Sequence, residues 1–169
     1  EAGPHCLPDR LDYPCYAECG DCKACDWTSC EDDVGFLLSI TQSVKEGLLV
    51  DPDRFYLLGN SNGGSMVQRL GCDYPEHYAA VGIMIYQMPP GHACGPQETL
   101  PMFHYYAELD DGVPPDGKPS PYGWVYTSAE DHTRAWAETM GCSGPAVPWQ
   151  TPLAPHHRLP CAAYPACQA

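Results

Sequence analysis

Apolar positions along this chain change their spacing several times, and each change predicts an element. From Asp32 onward, Val34, Leu37, Leu38, Thr41, Val44 and Leu48 recur at three and four residues, the spacing of a helix with one apolar stripe. Asp32 and Asp33 stand at its start, where negative charge favours the helix dipole, and Gly47 with Asp51-Pro52 closes it. Phe55 to Leu58 reads as a short strand, Gly59 to Gly64 as a sharp turn, and Met66, Val67 and Leu70 as one side of a helix that ends at Asp73-Tyr74-Pro75. The run Val81 to Tyr86 is continuously apolar, which suits a strand buried on both faces of a parallel sheet. Gln87 to Leu100 is a Pro/Gly loop, and Met102 to Tyr106 predicts a third strand. Ala129, Thr133, Trp136, Ala137 and Met140 form the stripe of a last helix, which Gly141 ends. Cys142 to Ala169 is Pro-rich coil with a short strand near Val147 to Gln150.

Alternating strands and helices predict an α/β fold, a parallel sheet with flanking helices joined by right-handed crossovers. The turn at its first strand carries chemistry. Gly59-Asn60-Ser61-Asn62-Gly63 has the G-x-S-x-G spacing of a nucleophile elbow, in which the turn is so tight that flanking residues must be small. Strand before and helix after are the context that separates an elbow from a Gly/Asn-rich loop holding an incidental serine. Ser61 is the candidate nucleophile. The backbone N–H of Asn62, beside the helix N-terminus, is the candidate oxyanion donor.

Val50 to Arg54 before the strand, Ser61 to Gly64 at the turn and Arg69 to Pro75 after it resemble secreted polyhydroxybutyrate depolymerases and the related feruloyl and acetylxylan esterases. Glu31 to Leu37 is similar to the helix that precedes the elbow strand in that family, and the likeness runs from about Trp27 to Cys167. The resemblance implies a partial α/β-hydrolase fold. The predicted strands correspond to the elbow strand and the next two, without the family's early strands or its last one. The expected division is a Cys/Pro-rich irregular lead-in over 1–30 and a partial hydrolase domain over 31–169. A mid-sheet strand left at an edge is an aggregation hazard, so either the lead-in covers it or another polypeptide completes the sheet.

The same resemblance assigns an acid. Ala107 to Pro114 matches the family's loop in which an aspartate stands four residues before a proline, which selects Asp110 over Asp111; a pair of solvated turn aspartates is the alternative. The family's base lies in a Gly-Gly-His-x-Trp-Pro-Gly stretch that follows a segment similar to Gly141-Cys142, Cys161 to Tyr164 and Cys167, and that stretch is not found here. His157, with its neighbour His156, is the candidate base that chain order permits. His132 is also permitted, but its place on the last helix suggests a surface or interface residue, and His104 on a strand is expected to be a satisfied core histidine. The family's second oxyanion donor is missing as well. Its cysteine spacing implies a Cys142–Cys161 bridge, and Cys72 with Cys94 is a second expected pair.

Composition narrows the setting. Eight Lys and Arg against 22 Asp and Glu leave a net charge of −14, which argues against nucleic acid and anionic membrane surfaces as partners. Neutral esters such as acylated sugars, phenolic esters or polyesters suit an acidic enzyme better than anionic phosphoesters. Eleven cysteines indicate a secreted or otherwise oxidising setting, and the odd count leaves one thiol free or bonded to another chain. Six of them fall before Glu31; Cys19-x-x-Cys22-x-x-Cys25 has zinc-ligand spacing, with Cys15 or Cys30 as a fourth ligand, although disulfides suit the composition better. No metal or other cofactor is expected. No apolar run reaches the roughly 20 residues of a membrane helix, and no signal peptide is seen, so a mature or internal segment is expected.

Two functions follow. One is a serine carboxylic-ester hydrolase acting through an acyl-enzyme on Ser61, incomplete as this chain. The other is a non-catalytic α/β-hydrolase-like structural or binding component of a disulfide-rich extracellular assembly.

Overall fold

The computed structural model describes residues 32–89, 100–121, 124–149 and 160–167. The lead-in over 1–30, with its zinc-like cysteine spacing, lies outside them. Helix α1 (Asp33–Gly47) starts at Asp32, whose carboxylate accepts the Gly35 N–H at 2.8 Å. Strand β1 (Tyr56–Asn60) enters the Ser61 turn, and helix α2 (Asn62–Asp73) leaves it. A 3₁₀ turn over Pro75–His77 leads to β2 (Ala80–Met84), followed by β3 (Met102–Tyr105) and helix α3 (Ala129–Thr139).

The three strands are parallel, in the order β1-β2-β3. Register places Leu57, Val81 and Met102, and then Gly59, Ile83 and His104, on one face. That face meets α2 and α3 in a core of Val67, Leu70, Val81, Ile83 and Trp136. The Trp136 indole N–H donates to the Leu100 carbonyl at 2.7 Å, so its polar end is satisfied in the core. Gly71 lets these layers close, since a Cβ there would stand 3.1 Å from Val81 and 3.2 Å from Trp136. Helix α1 anchors at the other end of the strands: Lys45 lies over the Phe55 ring and donates to the His77 carbonyl, and Thr41 shares a hydrogen bond with Tyr78.

The opposite sheet face carries Tyr56, Leu58, Phe103 and Tyr105, and it is open: Leu58 is 67% and Phe103 54% exposed. Leu58 folds over Gly82, where a Cβ would approach it to 2.4 Å. Among the described strands β1 is an edge.

Three expectations are corrected. The second strand stops at Met84 rather than Tyr86, because Ile85 turns to a φ of 49° and leaves the extended region. A further strand, β5 (Ala162–Ala163), pairs antiparallel with β4 (Val147–Pro148). That hairpin also overturns the expected Cys142–Cys161 bridge: Cys142 is bonded to Cys167. With Pro148 opposite Ala162, Cys161 falls beside Trp149, whose N–H donates to its carbonyl, whereas Ser143 N–H donates to Ala166 and brings Cys142 to Cys167. Cys72 is disulfide-bonded, and its expected partner Cys94 lies outside the described residues.

Candidate active site

Parallel strands put all their C-terminal ends on one edge, which is where open α/β sheets present ligands. Ser61 follows β1 at that edge, and the loop carrying Asp110 follows β3. Ser61 has φ 53° and ψ −121°, a conformation that non-glycine residues rarely adopt. The turn is held by its own backbone: Ser61 N–H donates to the Met84 carbonyl at 2.9 Å, and the Ser61 carbonyl accepts from Gly64 and Ser65 at 2.8 and 3.2 Å. The serine is exposed.

Gly59 is required by close approach, since a Cβ there would fall 2.1 Å from the Gly63 carbonyl oxygen. At Gly63, by contrast, an added Cβ would meet nothing within 4 Å. The second tight position is Gly64, where it would press on Tyr86 at 2.9 Å and on the Met84 carbonyl at 3.2 Å. Asn62 opens α2, so its backbone N–H is among those with no partner within the helix. Its carbonyl accepts from the Ser65 hydroxyl at 2.6 Å.

Asp110 is half-buried, and its Oδ1 accepts the Gly112 and Val113 N–H groups, each at 2.9 Å. Asp111 is exposed. Burial raises the Tyr126 phenol above its usual range, and the Asp110 charge adds to that. Tyr126 in turn meets Tyr86 edge-on at 6.1 Å, and Tyr86 lies against Gly64 of the elbow.

The described histidines make their contacts with other groups. His77 lies beyond α2, before β2, at the sheet edge opposite Ser61. His132 is not a surface residue: it is fully buried, its Nδ1 accepts the Met88 N–H at 2.9 Å, and its ring stacks on His104 at 4.7 Å. Burial, with the neighbouring His104 second, pushes its pKa down to about 3. His104 bonds the Tyr86 carbonyl through Nε2, and burial lowers its pKa against the opposing effect of that bond. Its Nδ1, however, is buried without a partner among the described residues, so the core histidine is only half satisfied. His156 and His157 lie outside the described residues. Among the described residues no cluster of His, Cys, Asp and Glu could hold a metal ion.

The comparisons with known proteins point one way. A protein named as an esterase, NocK from Nocardia uniformis subsp. tsuyamanensis, is 33% identical over 86 residues, which is 50% of this chain and 25% of NocK. Feruloyl esterase B from Piromyces equi is 26% identical over 125 residues, covering 67% of this chain and 23% of that enzyme. The relationship is to esterases. This esterase-like chain matches about a quarter of the length of each relative. No protein-family model matches it, and no solved structure does.

Proposed function

We propose that this chain carries the nucleophile elbow of a secreted serine carboxylic-ester hydrolase of the depolymerase and feruloyl-esterase kind. The observation that carries it is the Ser61 backbone, φ 53° and ψ −121°, between a parallel strand and the N-terminus of α2. In the proposed reaction Ser61 Oγ attacks the ester carbonyl, and the Asn62 N–H receives the developing oxyanion. An imidazole takes the serine proton and returns it to the leaving alcohol, while Asp110 orients that imidazole. The acyl-enzyme is then opened by water. His104 and His132 are too buried and too committed to serve as that base. It comes from His157 or from a polypeptide that completes the sheet beyond β1. Neutral acylated sugars, phenolic esters or polyesters suit the charge of −14. The Cys142–Cys167 bridge is compatible with an extracellular setting.

The test is labelling of Ser61 by a fluorophosphonate, with p-nitrophenyl ester turnover alongside. Slow labelling by the 169-residue chain is expected, lost in Ser61→Ala, and accelerated by a polypeptide bearing the early strands and a Gly-Gly-His segment. Brisk labelling abolished by His157→Ala would assign the base to this chain. Equal labelling of wild type and Ser61→Ala would sink the proposal and favour the non-catalytic component.

A further inference from the structure

The turn after β2 is strained and is braced from behind by two histidines that the proposed reaction does not use. Ile85 has a φ of 49°, in the left-handed region that a β-branched side chain avoids. Such a conformation persists where the surroundings over-determine it. Ahead of it the Met84 carbonyl accepts the Ser61 N–H at 2.9 Å, and Ile85 N–H donates to the Tyr105 carbonyl at 2.8 Å. Behind it His104 Nε2 bonds the Tyr86 carbonyl at 2.9 Å, and Met88 N–H donates to His132 Nδ1 at 2.9 Å. The Met88 carbonyl accepts from the Thr127 N–H at 2.7 Å and the Thr127 hydroxyl at 3.0 Å. The turn also touches the elbow directly, with Tyr86 and the Met84 carbonyl closing on Gly64.

The partners assign both tautomers. A carbonyl only accepts, so His104 carries its proton on Nε2. An amide N–H only donates, so His132 Nδ1 is bare and its proton is on Nε2. The two buried ring atoms without a partner among the described residues are His104 Nδ1, an acceptor, and His132 Nε2–H, a donor, on rings stacked at 22°. The arrangement needs the His132 ring neutral, because a proton on its Nδ1 would set donor against donor at Met88.

We propose that the stacked His104–His132 pair consists of positioning residues for the elbow. It holds the Tyr86–Met88 backbone in one place, keeps the Ile85 turn closed and, through the Met84 carbonyl, fixes the backbone of Ser61. The catalytic meaning of this rests on Ser61 being the nucleophile; the positioning itself does not.

Amide hydrogen exchange followed by NMR on the full chain tests it without needing catalysis. His132→Leu and His104→Leu should each speed exchange at Ser61 and Ile85 by about tenfold relative to core amides such as Leu70, the loss of roughly one hydrogen bond. His132→Asn restores an acceptor at the Nδ1 position and His104→Gln a donor at the Nε2 position, so both should stay within about threefold of wild type. Where a leucine variant does not fold, the wrong-length amides His132→Gln and His104→Asn take its place. Ring ¹⁵N shifts should show both histidines protonated at Nε2 alone. The proposal is overturned if Ser61 exchange stays at the wild-type rate while that of Met88 rises. It is equally overturned if the rescuing amides behave like leucine, or if either ring carries its proton on Nδ1. An unlabelled Ser61 whose amide loses protection in the leucine variants would keep the positioning role and remove only the hydrolase.

Discussion

Gly59 and Gly63 look equivalent in the G-x-S-x-G spacing, yet their surroundings differ. A methyl group at Gly59 would drive into the Gly63 carbonyl and the Val67 side chain, so something must move. Gly59→Ala should therefore cost about 1–3 kcal/mol or more, the range for overpacking. Gly63→Ala meets open space at a helical position and should be neutral or stabilising by up to about 1 kcal/mol. Urea unfolding of the two variants separates these outcomes. The buried imidazoles make a second prediction. Their folded pKa values lie below the ordinary value of 6.5, His132 at about 3. As pH falls, the unfolded chain takes up these protons first. For His132 the contribution is thus fully present above pH 6.5 and is lost progressively down to about pH 3, at about 1.4 kcal/mol per pH unit, and His104 acts in the same direction. Unfolding midpoints between pH 7 and 4 should fall steeply in wild type and less steeply in His132→Asn.

The elements were legible where period and punctuation agreed. The acidic start at Asp32 and Asp33 and the three- and four-residue stripe locate α1 almost to the residue, and the elbow strand, its helix and the strand at Met102 emerge from the same kind of pattern. His132 shows why other features were hidden. It stands three residues after Ala129 and four before Trp136, on the buried stripe, but its polarity argues for the surface unless a partner such as the Met88 N–H is known. Ile85 is similar: six apolar residues in a row carry no mark of the one that turns. The Cys142 pairing depended on a two-residue strand, Ala162–Ala163, too short for any period to reveal. That hairpin yields a prediction for the disulfide. Non-reducing peptide mapping should recover Cys142 with Cys167, and reduction should cost about 3 kcal/mol for a loop of 25 residues, within the chain-entropy view.

Across the whole molecule, an open apolar face opposes a strong negative charge. Tyr56 and Leu58 on the β1 edge, with Phe103 and Tyr105 on β3, expose apolar side chains on one sheet face, which favours association. The charge of −14 keeps copies apart while salt is low. Raising ionic strength from about 0.01 to about 0.15 M shortens the screening length from about 30 to about 8 Å and should promote self-association. Sedimentation velocity should show this shift in wild type and a much smaller one in Leu58→Lys; salt-independent behaviour of both proteins would contradict it.

The order β1-β2-β3 is also the order in which a ribosome releases the strands. Each parallel strand finds the previous one already made, with α2 as the crossover between the first two, so the sheet can grow by addition at one side as synthesis proceeds. A nascent chain that has exposed residues through Met84 holds the Ser61 turn and the carbonyl that fixes it. The brace from His104 and then from His132 arrives only with later codons. Vectorial synthesis would thus build the elbow first and secure it afterwards.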